Sequence, residues 1–262
     1  GRRGGDSRDE ERRRVQGERG HDWNPLQLKP EFFLRFVPEG VKKISYAASM
    51  GVLTVPEENK KDFEEYVSDF DMLSVREADC AAYIADLSDK EVSTNIDPTF
   101  LISLEKWETY CREYPIGKDY ILVYPLYWNK VYNQELKKLH QKTGLDIVVV
   151  ASNYRSVYAN KWIFDADPGQ LLWLIKHASA VVSTSFHGVA MSIIFQKKVA
   201  ALVNPGAPSR IRSLLTSLGY PELSILDLAG DKQIDTVAVA SQIQKERMEG
   251  ISYLKKAMES YE

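Results

Sequence analysis

Two short segments of this chain carry side chains that can hold an anion and move a proton. Ser74-Val75-Arg76-Glu77 places Arg76 directly after an apolar run, where its guanidinium can fork onto a carboxylate or phosphate. A surface ion pair with Glu or Asp explains the same arginine equally well. Thr184-Ser185-Phe186-His187-Gly188 follows another apolar run and opens a helix, whose N-terminus favours anions. A histidine there can donate to an anion or transfer a proton near neutral pH, although single histidines often serve structure alone. A third segment, Ser45–Gly51, is made of small residues that let a backbone approach a ligand; close packing is the equal alternative.

Other arrangements say less. Asp165-Ala166-Asp167 matches the D-x-D pattern that holds metal-bound nucleotides in some glycosyltransferases. Asp167, however, precedes Pro168 and reads as a helix N-cap, so no metal is expected. Ser185 and His187 share a loop without a G-x-S-x-G elbow, and no P-loop, dinucleotide-binding or H-E-x-x-H motif occurs. Tyr124, Tyr127 and Trp128 follow a strand and suit sugar stacking or packing alike. Cys80 and Cys111 are too few for a disulfide framework or a Cys-rich zinc site. A net charge of −3 provides no basic field for nucleic acid. No run approaches the roughly 18–20 apolar residues of a membrane span, and no apolar leader is visible. A soluble cytoplasmic protein is the expectation.

The elements that must position these side chains alternate along the 262 residues. Val41–Tyr46, Met72–Val75 and Val92–Ile96 read as strands. Between them lie an amphipathic helix over Asn59–Phe70, with Phe63, Tyr66, Val67 and Phe70 on one face, and another over Ala78–Leu87. Asp97-Pro98 reads as a turn, and Leu104–Tyr114 as a helix. Further on, strands are expected at Tyr120–Tyr124, Asp146–Ala151, Ala180–Thr184 and Val199–Val203. Helices are expected around Tyr132–Lys142, after Asp167, over Gly188–Phe195 and Arg210–Leu218, and over Asp235–Met258. Such alternation predicts an α/β fold with parallel sheets, whose chemistry sits at the carboxyl ends of the strands.

Several separated motifs then agree in order with one family. Asp22–Pro25 (DWNP), Ile44–Gly51 (ISYAASMG), Ser74–Glu77 (SVRE), Asp97–Leu101 (DPTFL) with Trp107, Tyr120–Val123 (YILV) and Val182–Ile194 (VSTSFHGVAMSII) resemble the polysaccharide pyruvyl transferases. The resemblance implies two Rossmann-like halves, similar to the glycosyltransferase B architecture, with the active site between them. It implies transfer of pyruvate from phosphoenolpyruvate to a sugar or lipid-linked oligosaccharide as a ketal, with no cofactor beyond that donor. By motif match, Arg76 and His187 fall on positions that hold phosphoenolpyruvate. His187 is the expected catalytic residue; Arg76, Ser185, Phe186, Gly188, Ser49 and Arg210 are the expected substrate-binding set. Many members carry arginine where Ser185 stands, so a charge is absent or supplied by Arg210 or Arg212.

The same resemblance shapes the expected domains. Residues 1–20 hold seven Arg, five Gly and five acidic residues, and read as a disordered or non-native tail. Residues 21–116 form a partial N-terminal Rossmann-like domain, because a glycine-rich unit and further strands precede the DWNP region in the family. Truncation there predicts an incomplete N-terminal half with an open sheet edge, and a poorly soluble or inactive chain. Residues 117–235 form the C-terminal domain, and residues 236–262 a helix returning towards the N-terminal half. A nucleotide-sugar glycosyltransferase of similar fold, or a non-catalytic relative, remains an alternative.

Overall fold

The computed structural model describes residues 23–117, 119–151, 157–203 and 209–259. The expectation for residues 1–20 falls outside that range. Among the described residues, no helix is long and apolar enough to cross a membrane.

The first half begins with two 3-10 turns, at Pro25–Gln27 and Pro30–Phe33, which set Trp23 and Phe33 against Phe63 and Phe70 in one aromatic core. Helix α1 (Glu57–Ser68) buries Phe63 and Val67 there, as its spacing dictates. Strand β1 (Leu73–Val75) leads into α2 (Ala78–Ser88), and β2 (Val92–Thr94) pairs parallel with β1, Val75 opposite Thr94.

Val41–Tyr46 does not form the expected strand. Only isolated parallel bridges join Ile44 to Met72 and Ala48 to Val75. Ala47 lies between them at φ 49°, a left-handed conformation that interrupts any ladder. Side chains replace it. Ser45 Oγ donates to the Ser74 carbonyl and accepts from the Ser74 amide, and Ser74 Oγ accepts from the Ala47 amide and donates to Asn95 Oδ1. Leu104–Tyr114 shortens to α3 (Leu104–Glu108), because the Arg112 amide leaves the helix to donate to Gly169.

The second half is a five-stranded parallel sheet. Its strands are β3 (Tyr120–Tyr124), β4 (Asp146–Val150), β5 (Lys161–Ile163), β6 (Ala180–Ser183) and β7 (Val199–Ala201), in spatial order β5-β4-β3-β6-β7. Alternate residues face two separate cores. Ile121, Val123, Ile147 and Val149 pack with Leu136 and Leu139 of α4 (Tyr132–Thr143). Leu122, Val148 and Val181 pack with α5 (Pro168–His177) and α6 (Phe186–Ile194). With both faces covered, the strands read as unbroken apolar runs. The three-residue β5 was not legible as a strand in advance.

Winding reverses between β3 and β6, and such switch points open a crevice at the carboxyl ends of the strands. Helices α7 (Ser209–Ser217) and α8 (Thr236–Glu259) complete the fold. The last of these runs back over the first half. Tyr253 Oη donates to the Ser45 carbonyl at 2.9 Å, Lys42 Nζ to the Ala257 carbonyl at 3.1 Å, and Arg247 Nε to the Phe100 carbonyl at 2.7 Å.

Candidate active site

A cleft of about 560 Å³ opens between the halves, lined by residues that include Arg76, Asn95, Asp97, Phe186, Arg210, Arg212 and Glu246. Its floor is set by strand ends. Arg76 leaves β1 and Asp97 follows β2 by three residues, so parallel pairing brings their side chains to the same end of the sheet. Arg76 Nη1 donates to Asp97 Oδ2 at 2.5 Å, with both side chains buried. The other Asp97 oxygen accepts the Thr99 amide at 3.0 Å and the Thr99 hydroxyl at 2.8 Å. The carboxylate is held from two sides.

From the opposite half, β6 delivers α6 to the same point. Ser183 Oγ donates to the Tyr124 carbonyl, and Thr184 Oγ1 accepts the Leu126 amide at 2.8 Å and donates to the Tyr127 carbonyl, pinning the strand end to the β3 loop. Ser185 Oγ then accepts the Gly188 amide at 3.3 Å as the helix N-cap. A side chain at Gly188 would put Cβ 2.4 Å from Ser183 Oγ and 2.8 Å from the Tyr124 ring. Glycine there lets the helix start press against the sheet.

The result is a meeting across the cleft. The Phe186 ring lies 4.3 Å beneath the Arg76 guanidinium, a cation–π contact. His187 Nε2 is 3.9 Å from Asp97 Oδ2, and the imidazole side chain is 61% exposed. One carboxylate oxygen therefore faces an arginine from one half and a histidine from the other. The exposed imidazole can meet a ligand; the buried arginine is fixed in place beside it.

The expected residues divide accordingly. Arg76, Phe186 and His187 converge, although 111 positions separate the first from the last. Arg210 lines the same cleft. Ser185 and Gly188 are buried, one spending its hydroxyl on a cap and the other giving room for packing. Ser49 is also buried, its hydroxyl donated to Glu77 Oε1 at 2.5 Å. Asp165 accepts from Tyr114, and Asp167 forms a capping box with Gln170, which accounts for the D-x-D pattern.

Sequence reasoning passed over Asp97 and Glu77. Asp97 stands in the sequence as a turn before Pro98 and as the first residue of the DPTFL motif, and its place three residues beyond β2 is the signal that marks it as a site residue. Its charge reaches Tyr46, whose phenol donates to the Ile96 carbonyl at 3.0 Å. Burial first, and then the Asp97 carboxylate, push that phenol up to about 12. Glu77 adjoins Arg76, and burial pushes its carboxyl above the usual range, partly opposed by the Ser49 hydroxyl, Arg76 and Arg210.

Comparison with known proteins places this geometry in context. Among solved structures, UDP-GlcNAc 2-epimerase from Methanocaldococcus jannaschii is similar at 10% identity and TM-score 0.50, over 82% of this chain and 65% of that one. The UDP-GlcNAc 2-epimerase of Neisseria meningitidis, bound to UDP-GlcNAc, matches at 16% identity and TM-score 0.47, over 86% of this chain and 65% of that one. The chain spans less than two thirds of the length of either. At such identities the likeness concerns fold alone, and the fold is of the glycosyltransferase B type. No curated protein matches. The model of the family described as polysaccharide pyruvyl transferase matches residues 3–205, which include β1 to β7 and both sides of the Arg76–Asp97–His187 meeting. The chain belongs to the polysaccharide pyruvyl transferase family.

Proposed function

We propose that the cleft transfers the pyruvyl group of phosphoenolpyruvate to two hydroxyls of a saccharide, free or lipid-linked, forming a pyruvate ketal and releasing phosphate. The observation that carries this reading is the convergence of Arg76 and His187 on Asp97 from opposite halves. A small anion with a phosphate and a carboxylate needs fixed cationic donors, and Arg210 and Arg212 line the same cavity. Glu246 and Glu249 on the α8 wall supply acceptors for sugar hydroxyls.

The chemistry follows from the donor's being an enol phosphate, whose enol oxygen can stabilise a cation at its carbon. His187, as imidazolium, gives a proton to the methylene carbon of phosphoenolpyruvate, and the carbon bearing phosphate becomes cationic. One sugar hydroxyl adds there and loses its proton. The bond from that carbon to the bridging phosphate oxygen then breaks, with the electron pair leaving on the oxygen, and the second hydroxyl closes the ketal and loses its proton. Of the two protons released, one restores His187 and the other leaves with phosphate. The Asp97 carboxylate faces the imidazole at 3.9 Å, and its bond to Arg76 orients it.

Calorimetric titration separates the candidate donors: phosphoenolpyruvate should bind and UDP-GlcNAc should not. The reverse would favour a nucleotide-sugar glycosyltransferase. His187→Ala should lower phosphate release by about 10²–10⁴-fold, as expected for a lost general acid. Arg76→Lys keeps the charge but loses the fork, and should weaken phosphoenolpyruvate binding at least about tenfold. Wild-type turnover in His187→Ala would refute the assignment.

A further inference from the structure

Two buried polar atoms, one on the cleft-lining Arg76 and one on the Glu77 packed behind it, lack hydrogen-bond partners among the described residues: Arg76 Nε and Glu77 Oε2. Such atoms are uncommon in folded proteins and call for a physical account. Glu77 ends the β1 connection beside Arg76 and is 1% exposed. Its Oε1 accepts the Ser49 hydroxyl and lies 3.8 Å from Arg76 Nε. Arg210 of α7 lines the same cleft, and its charge favours the ionised carboxyl. A carboxylate sealed from water, with one oxygen lacking donors, is costly as an anion. Two arginines offset that cost while their charge is directed at it. An anion entering the cleft competes for the same charge.

We propose that Glu77 is the positioning residue of the anion site: it steadies Arg76 and Arg210 while the cleft is empty, and takes a proton from solvent when an anion claims them. The inference rests on the reading of this cleft as an anion site and adds proton linkage to it. The step is a simple protonation of the Glu77 carboxylate, with no bond made to the ligand. The groups that face it from each neighbouring element are the Ser49 hydroxyl, Arg76 with Asp97 behind it, Asp79 and Cys80 of α2, and Arg210 of α7. Cys80 cannot take the role. Burial, with the charges of Glu77 and Asp79, pushes its thiol up to about 12, and it donates to the Val52 carbonyl. His187 is the other group whose titration a bound anion would feel, through its approach to Asp97.

Sulfate is the suitable probe, because its own charge is constant across the relevant range. Titrating it into the full chain at about pH 6, in two buffers of unlike protonation enthalpy, reads the protons taken up per anion bound. A His187→Gln background removes the imidazole from the count, and uptake should persist there. Adding Glu77→Gln should abolish the uptake, flatten the pH dependence of sulfate affinity, and tighten binding about fivefold at about pH 8, where the like charge is gone. Ser49→Ala offers a second route if the glutamine variant fails to fold. Removing the hydroxyl that favours the carboxylate should move the uptake to higher pH. Unchanged uptake in Glu77→Gln, or an unmoved profile in Ser49→Ala, overturns the proposal. Sulfate binding without uptake overturns it too, and leaves the pyruvyl transfer reading standing. Uptake with sulfate in a protein that ignores phosphoenolpyruvate overturns that reading and leaves the role of Glu77. Binding of neither anion overturns both.

Discussion

The two halves of the molecule hold their strand ends in place by different means. In the C-terminal half a five-stranded ladder does the work, with apolar cores on both faces, and its buried polar groups gather at one strand end, Ser183 to Ser185, with Ser192 inside α6. In the N-terminal half the paired strands are three residues long, and Ser45, Ser74 and Asn95 join them by side-chain hydrogen bonds. The buried charges Lys43, Glu77 and Asp97 all lie in this half. The difference teaches how the site divides its labour. The C-terminal half is a stiff frame that presents one exposed imidazole; the N-terminal half is a polar network that fixes the charged partner facing it.

If that division is right, the largest stability effect should come from the N-terminal side of the meeting. Asp97→Ala leaves the Arg76 guanidinium buried without its carboxylate, and breaking such a pair typically costs about 3–5 kcal/mol. His187→Ala, at an exposed position in the same site, should change stability by no more than about 0.5 kcal/mol. Urea denaturation of the two variants decides the matter. Equal midpoints would break the comparison, since both halves would then hold the site alike.

The next effect tests the stiffness of the frame. Gly188→Ala places a methyl against Ser183 Oγ and the Tyr124 ring, both rooted in central strands that cannot give way. Overpacking of this kind costs about 1–3 kcal/mol and would tilt the start of α6, so His187 should lose its place along with stability. Gly250→Ala is the matched control in α8. Its added carbon meets the Tyr46 hydroxyl, the far end of a side chain that can swing. The denaturation midpoint should fall further for Gly188→Ala than for Gly250→Ala. The opposite order would mean that the helix return, not the sheet, sets the rigidity of the site.

How far the sequence revealed the site follows the same division. The C-terminal frame was legible because its strands are runs such as YILVY and DIVVV, and a helix among them announces its own start at Asp167-Pro168. Arg76 and His187 stood at strand ends, where the chemistry of an α/β fold belongs. The N-terminal network was harder to read. Hydrogen bonds among Ser45, Ser74 and Asn95 obey no period, so Val41–Tyr46 suggested a strand where Ala47 breaks one. Ser49 and Ser185 suggested ligand contacts, but their hydroxyls satisfy neighbours inside the fold. Asp97 was hidden by an adequate local explanation, because an Asp before Pro needs no further role to be understood.

The smallest effect lies outside the cleft, where Asp69, Lys43 and Arg35 line a separate pocket of the N-terminal half. Asp69 takes a close hydrogen bond from Lys43 and another from Arg35 at 3.2 Å, and these hold its carboxyl below the ordinary range, the Lys43 bond foremost. A carboxyl depressed in the folded state contributes stability above its unfolded pKa, near 3.9, and loses that contribution as pH falls through the folded value. Asp69→Asn should therefore be less stable than wild type at neutral pH, and the gap should close in acid. The Asp69 side chain is 39% exposed, so solvent screening limits the gap to about 1 kcal/mol or less. The buried Lys43 stem keeps its apolar contacts, and its ammonium can turn towards water once the partner is gone. Thermal melts of both proteins at neutral and acid pH measure the difference. A gap that persists in acid would assign the loss to packing and remove this pair from the polar network that distinguishes the N-terminal half.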